Sequence, residues 1–267
     1  NEPSGVFALH EVLDSLKVKK EILSGNIYAL CGNITALQKG IRYQKKDLNR
    51  IWNLEHIEET YSSKDSLEHS EMKEASELFE RIDTILKEES GPFYFIDLHT
   101  TSSPTEPFIT VNDNLLNRKF TQQYPVPLLL GIEEYLEGTF LNYINDLGYV
   151  AFGFESGQHD ALVAIENHIA FVYLSLVFAG CLLKSEITFE KHYKLLSETT
   201  NGLAPCYEIV YHYKIRQNEQ FEMLPGFKNF EPIPKGLPIA ISDDHSVEAP
   251  LKGNIFMPLY QKKGNDG

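Results

Sequence analysis

Phe93-Tyr94-Phe95-Ile96-Asp97-Leu98-His99, followed by Thr100-Thr101-Ser102-Ser103, is the stretch that decides the fold. A nearly continuous apolar run of this length, ended by polar groups, predicts a strand buried on both faces. A second run, Tyr149-Val150-Ala151-Phe152-Gly153-Phe154, ends in the same way at Glu155, and a long helix is expected from about Ala161 to Leu183. Strands interleaved with helices predict an α/β fold, a mixed or parallel sheet covered on both sides. Ligands of such sheets gather beyond the carboxyl ends of strands, where His99 and Glu155 both stand.

Outward from this centre the pattern is coarser. Leu9, Val12, Leu13 and Leu16 recur at helical spacing after Pro3 and Ser4, which suit a helix start. Gly25 to Asn33 reads as a short apolar strand between turn residues, and Asp47 to Trp52 as irregular. From Glu55 to Ser90 the chain is highly charged, yet Leu78, Phe79, Ile82, Ile85 and Leu86 keep the period of an amphipathic helix. After about Thr200, Tyr207 to Ile215 alternates like a strand and Gly and Pro punctuate short segments. Two units are expected, an α/β unit over 1–200 and a small C-terminal β-rich domain over 201–267, with no internal repeat.

Composition narrows the function. With 267 residues and 42% hydrophobic content the chain can bury a core, and its formal net charge of -14 repels phosphate backbones and anionic headgroups. Neither nucleic acid nor membrane is an expected partner. The longest uncharged run, Ile169 to Leu183, falls short of the roughly 20 apolar residues a bilayer requires. Cys31, Cys181 and Cys206 are scattered, without disulfide or zinc-thiolate spacing, and no signal peptide opens the chain, so a cytoplasmic location is expected. The chain starts Asn1-Glu2-Pro3-Ser4-Gly5 and closes Gly264-Asn265-Asp266-Gly267, so both ends read as cut.

Three groups can carry chemistry. A strand-end imidazole, His99, suits zinc, with a nearby carboxylate or carbonyl to fix its tautomer; most lone strand-end histidines are structural. Desolvation at a strand end can raise the pKa of a carboxylate such as Glu155 into the range of general acid–base work, although a solvated glutamate is the commoner outcome. Arg42, Asn49 and Arg50 lie in a basic, irregular loop of an acidic protein, either an anion site or solvated surface. The remaining histidines are taken as structural, His159 being the one to check because it lies four residues past Glu155. Gly153 to Gly157 lacks a glycine-rich phosphate pattern, and Ser102 and Ser103 sit in no nucleophile elbow.

Together these pieces resemble one family. Asn1-Glu2-Pro3-Ser4-Gly5 is similar to the tail of a His-Gly-Asn-Glu opening, Asp47-Leu48-Asn49-Arg50 to a D-L-N-R motif, Asp97-Leu98-His99 to a D-L-H strand end, and Phe154-Glu155 to a catalytic glutamate. In order and approximate spacing the chain resembles the succinylglutamate desuccinylase/aspartoacylase family over residues 1–160. Gly253-Asn254-Ile255-Phe256-Met257-Pro258 resembles its C-terminal domain.

The resemblance implies a zinc-carboxypeptidase-like fold, a mixed sheet flanked by helices with an appended β domain. It also implies zinc-dependent hydrolysis of the amide of a small, carboxylate-bearing N-acyl amino acid. By resemblance Glu2 and His99 are zinc ligands, Arg42 polarises the scissile carbonyl, Asn49 and Arg50 hold the substrate carboxylate, and Glu155 activates water. The first histidine of the opening motif and the strand leading into it would precede Asn1. The arginine with which aspartoacylases grip an aspartate side chain has no counterpart in Leu141-Asn142-Tyr143-Ile144-Asn145-Asp146, which argues against acetylaspartate. A substrate-contacting tyrosine near the family's C-terminus also has no counterpart up to Gly267. A carboxypeptidase-like peptidase and a metal-free binding protein on the same scaffold are the alternatives, and the sequence leaves a homo-oligomer open.

Overall fold

The computed structural model describes residues 2–18, 20–53, 70–216 and 218–260. Along it run α1 (Ser4–Lys17), α2 (Ile34–Gln38), α3 (Ser70–Glu88), β1 (Tyr94–Thr101), β2 (Phe108–Val111), α4 (Leu115–Thr121), β3 (Leu128–Leu130), α5 (Phe140–Asp146), β4 (Val150–Gln158), α6 (Leu162–Phe178), α7 (Phe189–Thr199) and β5 (Cys206–Glu208). The C-terminal stretch adds β6 (Phe221–Met223), β7 (Pro232–Ile233), β8 (Pro238–Ser242), β9 (His245–Glu248) and β10 (Gly253–Asn254). The first part of the helix expected from Glu55 lies outside the described residues, and its apolar stripe is α3.

The main sheet has the order β1-β4-β2-β3-β5. β1 and β4 run parallel, β2 runs antiparallel to β4, and β3 and β5 follow β2 in parallel. The sheet is mixed, flanked by helices, and joined by a small antiparallel sheet β6-β8-β9 and the short pair β10-β7.

Burial explains the central strands. β4 lies inside the sheet, where Ala151, Phe152 and Phe154 are fully buried. One of its faces meets α6, a helix apolar on nearly every side, and the rings of Phe154 and Phe171 stack with centroids 3.7 Å apart. Ile109, Val111, Phe152, Phe154, Phe171 and Leu174 form the centre of that core. A second core on the opposite face gathers Trp52, Ile82, Ile144 and Ala151. Burial at roughly 25 cal/mol per Å² of apolar surface makes these two layers the main stabilising element. Among the described residues no helix is long and apolar enough to cross a membrane; the uncharged run from Ile169 lies in α6 and the turn after it.

Three expectations are corrected. β1 is an edge strand with six half-buried residues before Thr100, because among the described residues β4 alone pairs with it. The segment from Gly25 to Asn33 pairs with no strand among the described residues; side chains hold it instead, Tyr28 donating its hydroxyl to Glu89 at 2.5 Å and Asn26 its amide at 2.8 Å. A strand requires a neighbouring backbone, and apolar composition alone does not supply one. The strand expected over Tyr207 to Ile215 shrinks to β5, which belongs to the main sheet: its partner β3 ends at Leu130, where Gly131 (φ +82°) turns the chain away.

Candidate active site

Side chains alternate along a strand, so the register of β1 with β4 fixes what converges. Asp97 is opposite Gly153 and His99 opposite Glu155. Ile96, Leu98, Phe152 and Phe154 belong to the core against α6. Asp97, His99, Gly153 and Glu155 therefore share the other face. Gly153 keeps that face passable, since a Cβ there would collide with the hydroxyl of Thr110 from β2.

Glu2 comes to His99 from the residues before α1. This helix crosses the sheet so closely that a Cβ on Gly5 would lie 3.0 Å from the Cβ of Leu98. Glu2 Oε2 lies 3.2 Å from His99 Nδ1 and accepts a hydrogen bond from the Thr100 amide at 2.8 Å. The other ring nitrogen, Nε2, lies 2.8 Å from Asp97 Oδ2. Burial opposes charge on His99, but Asp97 and Glu2 prevail and hold its pKa well above the ordinary value. Burial likewise works to raise the pKa of Glu2, yet the hydrogen bond and charge of His99 and the Thr100 amide bring it down to about 2.

Glu155 behaves in the opposite way. Burial, reinforced by the negative charges of Glu2 and Asp97 and opposed by His99 and Arg42, pushes its carboxyl up to about 8. Its Oε2 is buried without a hydrogen-bond partner among the described residues. Two carboxyls of one cavity are thus driven in opposite directions, a pattern that marks candidate acid–base sites.

The basic loop closes the cavity from the other side. Asp47 accepts from Arg42 Nε at 2.9 Å with one oxygen and from the Asn49 amide at 2.9 Å with the other, capping a single 3₁₀ turn, Leu48–Arg50. Asn49 Oδ1 accepts from the Phe140 amide at 2.8 Å, and Trp52 donates its amide to Gly138 O at 2.9 Å, stitching the loop to the start of α5. Buried Glu71, in the first turn of α3, accepts the amides of Gln44 and Lys45. Glu2, Arg42, Asn49, Arg50, His99 and Glu155 all line one cavity of about 720 Å³. The C-terminal region supplies the far wall: Phe230 and Phe256 pack edge-on against Phe108, which is Glu155's register partner on β2.

Three residues around this centre carried no role in the sequence reading. Asp97 shares a strand face with His99, and its two-residue spacing was the available signal. Thr100 and His159, joined at 2.8 Å, had none beyond the nearness of His159 to Glu155. Among the described residues no group of three or more His, Cys, Asp and Glu is arranged to hold a metal ion. The pair Glu2–His99 nevertheless fits one. Nδ1 and Oε2 converge, Asp97 fixes the ring from behind in the way ligating histidines are commonly held, and the neighbouring carboxylates leave an excess of negative charge.

The catalytic-domain model of the succinylglutamate desuccinylase/aspartoacylase family matches residues 1–171. No curated protein matches the sequence. Among solved structures, succinylglutamate desuccinylase from Vibrio parahaemolyticus superposes with a TM-score of 0.64 at 12% identity, over 94% of this chain and 72% of that one. The ectoine utilization protein EutE (DoeB) from Ruegeria pomeroyi, in a product-bound structure, gives 0.65 at 17%, over 96% and 76%. Murine aminoacylase 3 gives 0.58 at 18%, over 96% and 84%. At such identities these likenesses speak for the fold alone. The family model runs from the first residue into the middle of α6, and by that match the chain belongs to the succinylglutamate desuccinylase/aspartoacylase family.

Proposed function

We propose that this protein is a zinc-dependent amidohydrolase that removes the acyl group from a small, carboxylate-bearing amino acid. The observation that carries the reading is a buried carboxyl oxygen on Glu155, without a hydrogen-bond partner among the described residues, beside the Glu2–His99 pair. In this reading Glu2 and His99 are zinc ligands, and Asp97 holds the His99 ring. Zinc, when bound, supplies Lewis acidity for the scissile carbonyl and makes water more acidic.

The chain's own residues do the rest. With its pKa raised by burial, Glu155 accepts a proton from the attacking water and returns it to the leaving amine. A cation held by Glu2 and His99 would favour the carboxylate form of Glu155 that accepts the proton. The Arg42 guanidinium, aligned by Asp47, opposes the negative charge that develops on the carbonyl oxygen. Asn49 and Arg50 hold the substrate carboxylate at the rim.

Leu141–Asp146, which contributes Asn142 to the cavity lining, carries no arginine or lysine, so acetylaspartate is not the expected substrate. We place the hydrolase unit in residues 1–200, its main sheet completed by β5, with the described part of the C-terminal segment as the wall that closes the cavity, and the protein in the cytoplasm, in keeping with three unpaired cysteines. The test is turnover of a panel of N-acetyl and N-succinyl amino acids and of dipeptides by the zinc-loaded protein. Release of free amino acid from the acylated set alone is the expected result. Cleavage of dipeptides alone would replace the deacylase reading by a peptidase on the same scaffold, and no turnover of either set would overturn both.

A further inference from the structure

β4 does not stop at Glu155. It continues through Ser156 and Gly157 to Gln158, which pairs with Thr101, and the register with β1 slips between His99 and Thr101. Such bulges re-aim side chains beside functional sites. Gly157 makes this one, at a φ of +130° that a side chain would strain.

The slip gives Thr100 two partners on opposite sides. Its amide donates to Glu2 Oε2 at 2.8 Å, and its hydroxyl meets His159 Nδ1 at 2.8 Å. The His159 amide in turn donates to Thr101 O at 3.0 Å. Thr100 is 4% exposed, so water is poorly placed to replace either bond. Among the described residues Glu2 Oε2 is held by the Thr100 amide and by His99 Nδ1. Thr100, one of these two, is also the residue on which the loop behind Glu155 is anchored.

We propose that His159 is a positioning residue: through the Thr100 hydroxyl it fixes the Glu2 carboxylate relative to Glu155, and so sets the metal-binding geometry and the reach of the base together. This rests on the reading of Glu2 as a zinc ligand and Glu155 as the base. The imidazole itself need not touch substrate.

The experiment uses four variants of the protein, His159→Leu, His159→Gln, Thr100→Val and Thr100→Ser. Zinc affinity is measured by competition with a chromophoric chelator, and kcat and KM on the best acylated substrate. His159→Leu and Thr100→Val are each expected to weaken zinc binding by about 10- to 100-fold and to lower kcat comparably. KM should stay within about twofold. Because both variants break one bond, the double variant should be no worse than the weaker single. Thr100→Ser keeps the hydroxyl and His159→Gln keeps a polar partner, and both should recover most of the loss.

Wild-type zinc affinity in Thr100→Val, or losses that multiply in the double variant, would overturn the proposal. So would a fall in melting temperature shared by all four variants with zinc affinity unchanged. If His159→Leu fails to fold, the contrast of Thr100→Val with Thr100→Ser decides. Should the wild-type protein cleave no acylated substrate, the deacylase reading fails, while the zinc measurement still judges the positioning claim.

Discussion

His168 offers a stability experiment whose sign and size follow from the structure. The residue lies on α6 with no exposed surface, and neither ring nitrogen has a hydrogen bond of good geometry among the described residues. The backbones of His99 and Phe154 pass beside it, and its ring lies edge-on to Phe154 at 5.6 Å. Burial, helped by the positive charge of His99, depresses its pKa to about 4. A cation held at His99 pushes in the same direction.

The folded state therefore resists the proton that the unfolded chain takes up at its ordinary pKa of about 6.5. His168 leaves stability untouched above about pH 6.5 and removes it progressively as the pH falls towards 4. At about 1.4 kcal/mol per unit, the difference between about pH 7.5 and pH 4.5 comes to roughly 2 to 3 kcal/mol. The assay is urea unfolding of the protein and of His168→Leu across that interval. Carboxylates titrate in both, so the difference between the two curves isolates the histidine. The expected result is a gap that shifts by that amount in favour of the variant on acidification. Parallel curves would show that the imidazole is hydrated or paired in solution and would refute the reasoning.

Three further outcomes are expected. Glu155→Gln should keep zinc, measured by elemental analysis, while kcat falls by about 10²- to 10⁴-fold; undiminished turnover would point to another base. Asp97→Asn removes the charge behind the His99 ring and should weaken zinc by about 10- to 100-fold in chelator competition, with the melting temperature of the metal-free protein much less affected. At Gly138 (φ +67°) an added Cβ would lie 2.7 Å from Arg50 O. Gly138→Ala should therefore destabilise by about 1–3 kcal/mol in denaturant and raise KM more than it lowers kcat. An unchanged KM would detach the Arg50 loop from substrate binding.

How much of this was legible in the sequence depended on whether the signal was local. The two apolar runs became β1 and β4, the second buried inside the sheet and the first half-buried at its edge, and their polar ends, His99 and Glu155, stand in register. The rest depends on neighbours. Tyr28 and Leu30 have strand composition but no paired strand among the described residues, so they remain exposed and irregular. β2 and β3 are four and three residues long, too short to show a period, and they are defined by their neighbours, β2 by β4 and β3 by β2 and β5. The proximity of Glu2 to His99 spans 97 residues and came through motif resemblance, not through any pattern in the chain. The Thr100–His159 bond depends on a register slip that no side-chain periodicity announces.

The aromatic wall of the cavity has a consequence for synthesis. Phe108 waits for Phe230 and Phe256, and Thr105 accepts the Asn229 amide 124 residues later. Contacts of such sequence separation form late, when chains fold as they leave the ribosome. The nascent molecule thus carries its strand-end carboxylates open to water until the segment around Phe230 to Phe256 emerges, and shielding of the cavity waits on that segment.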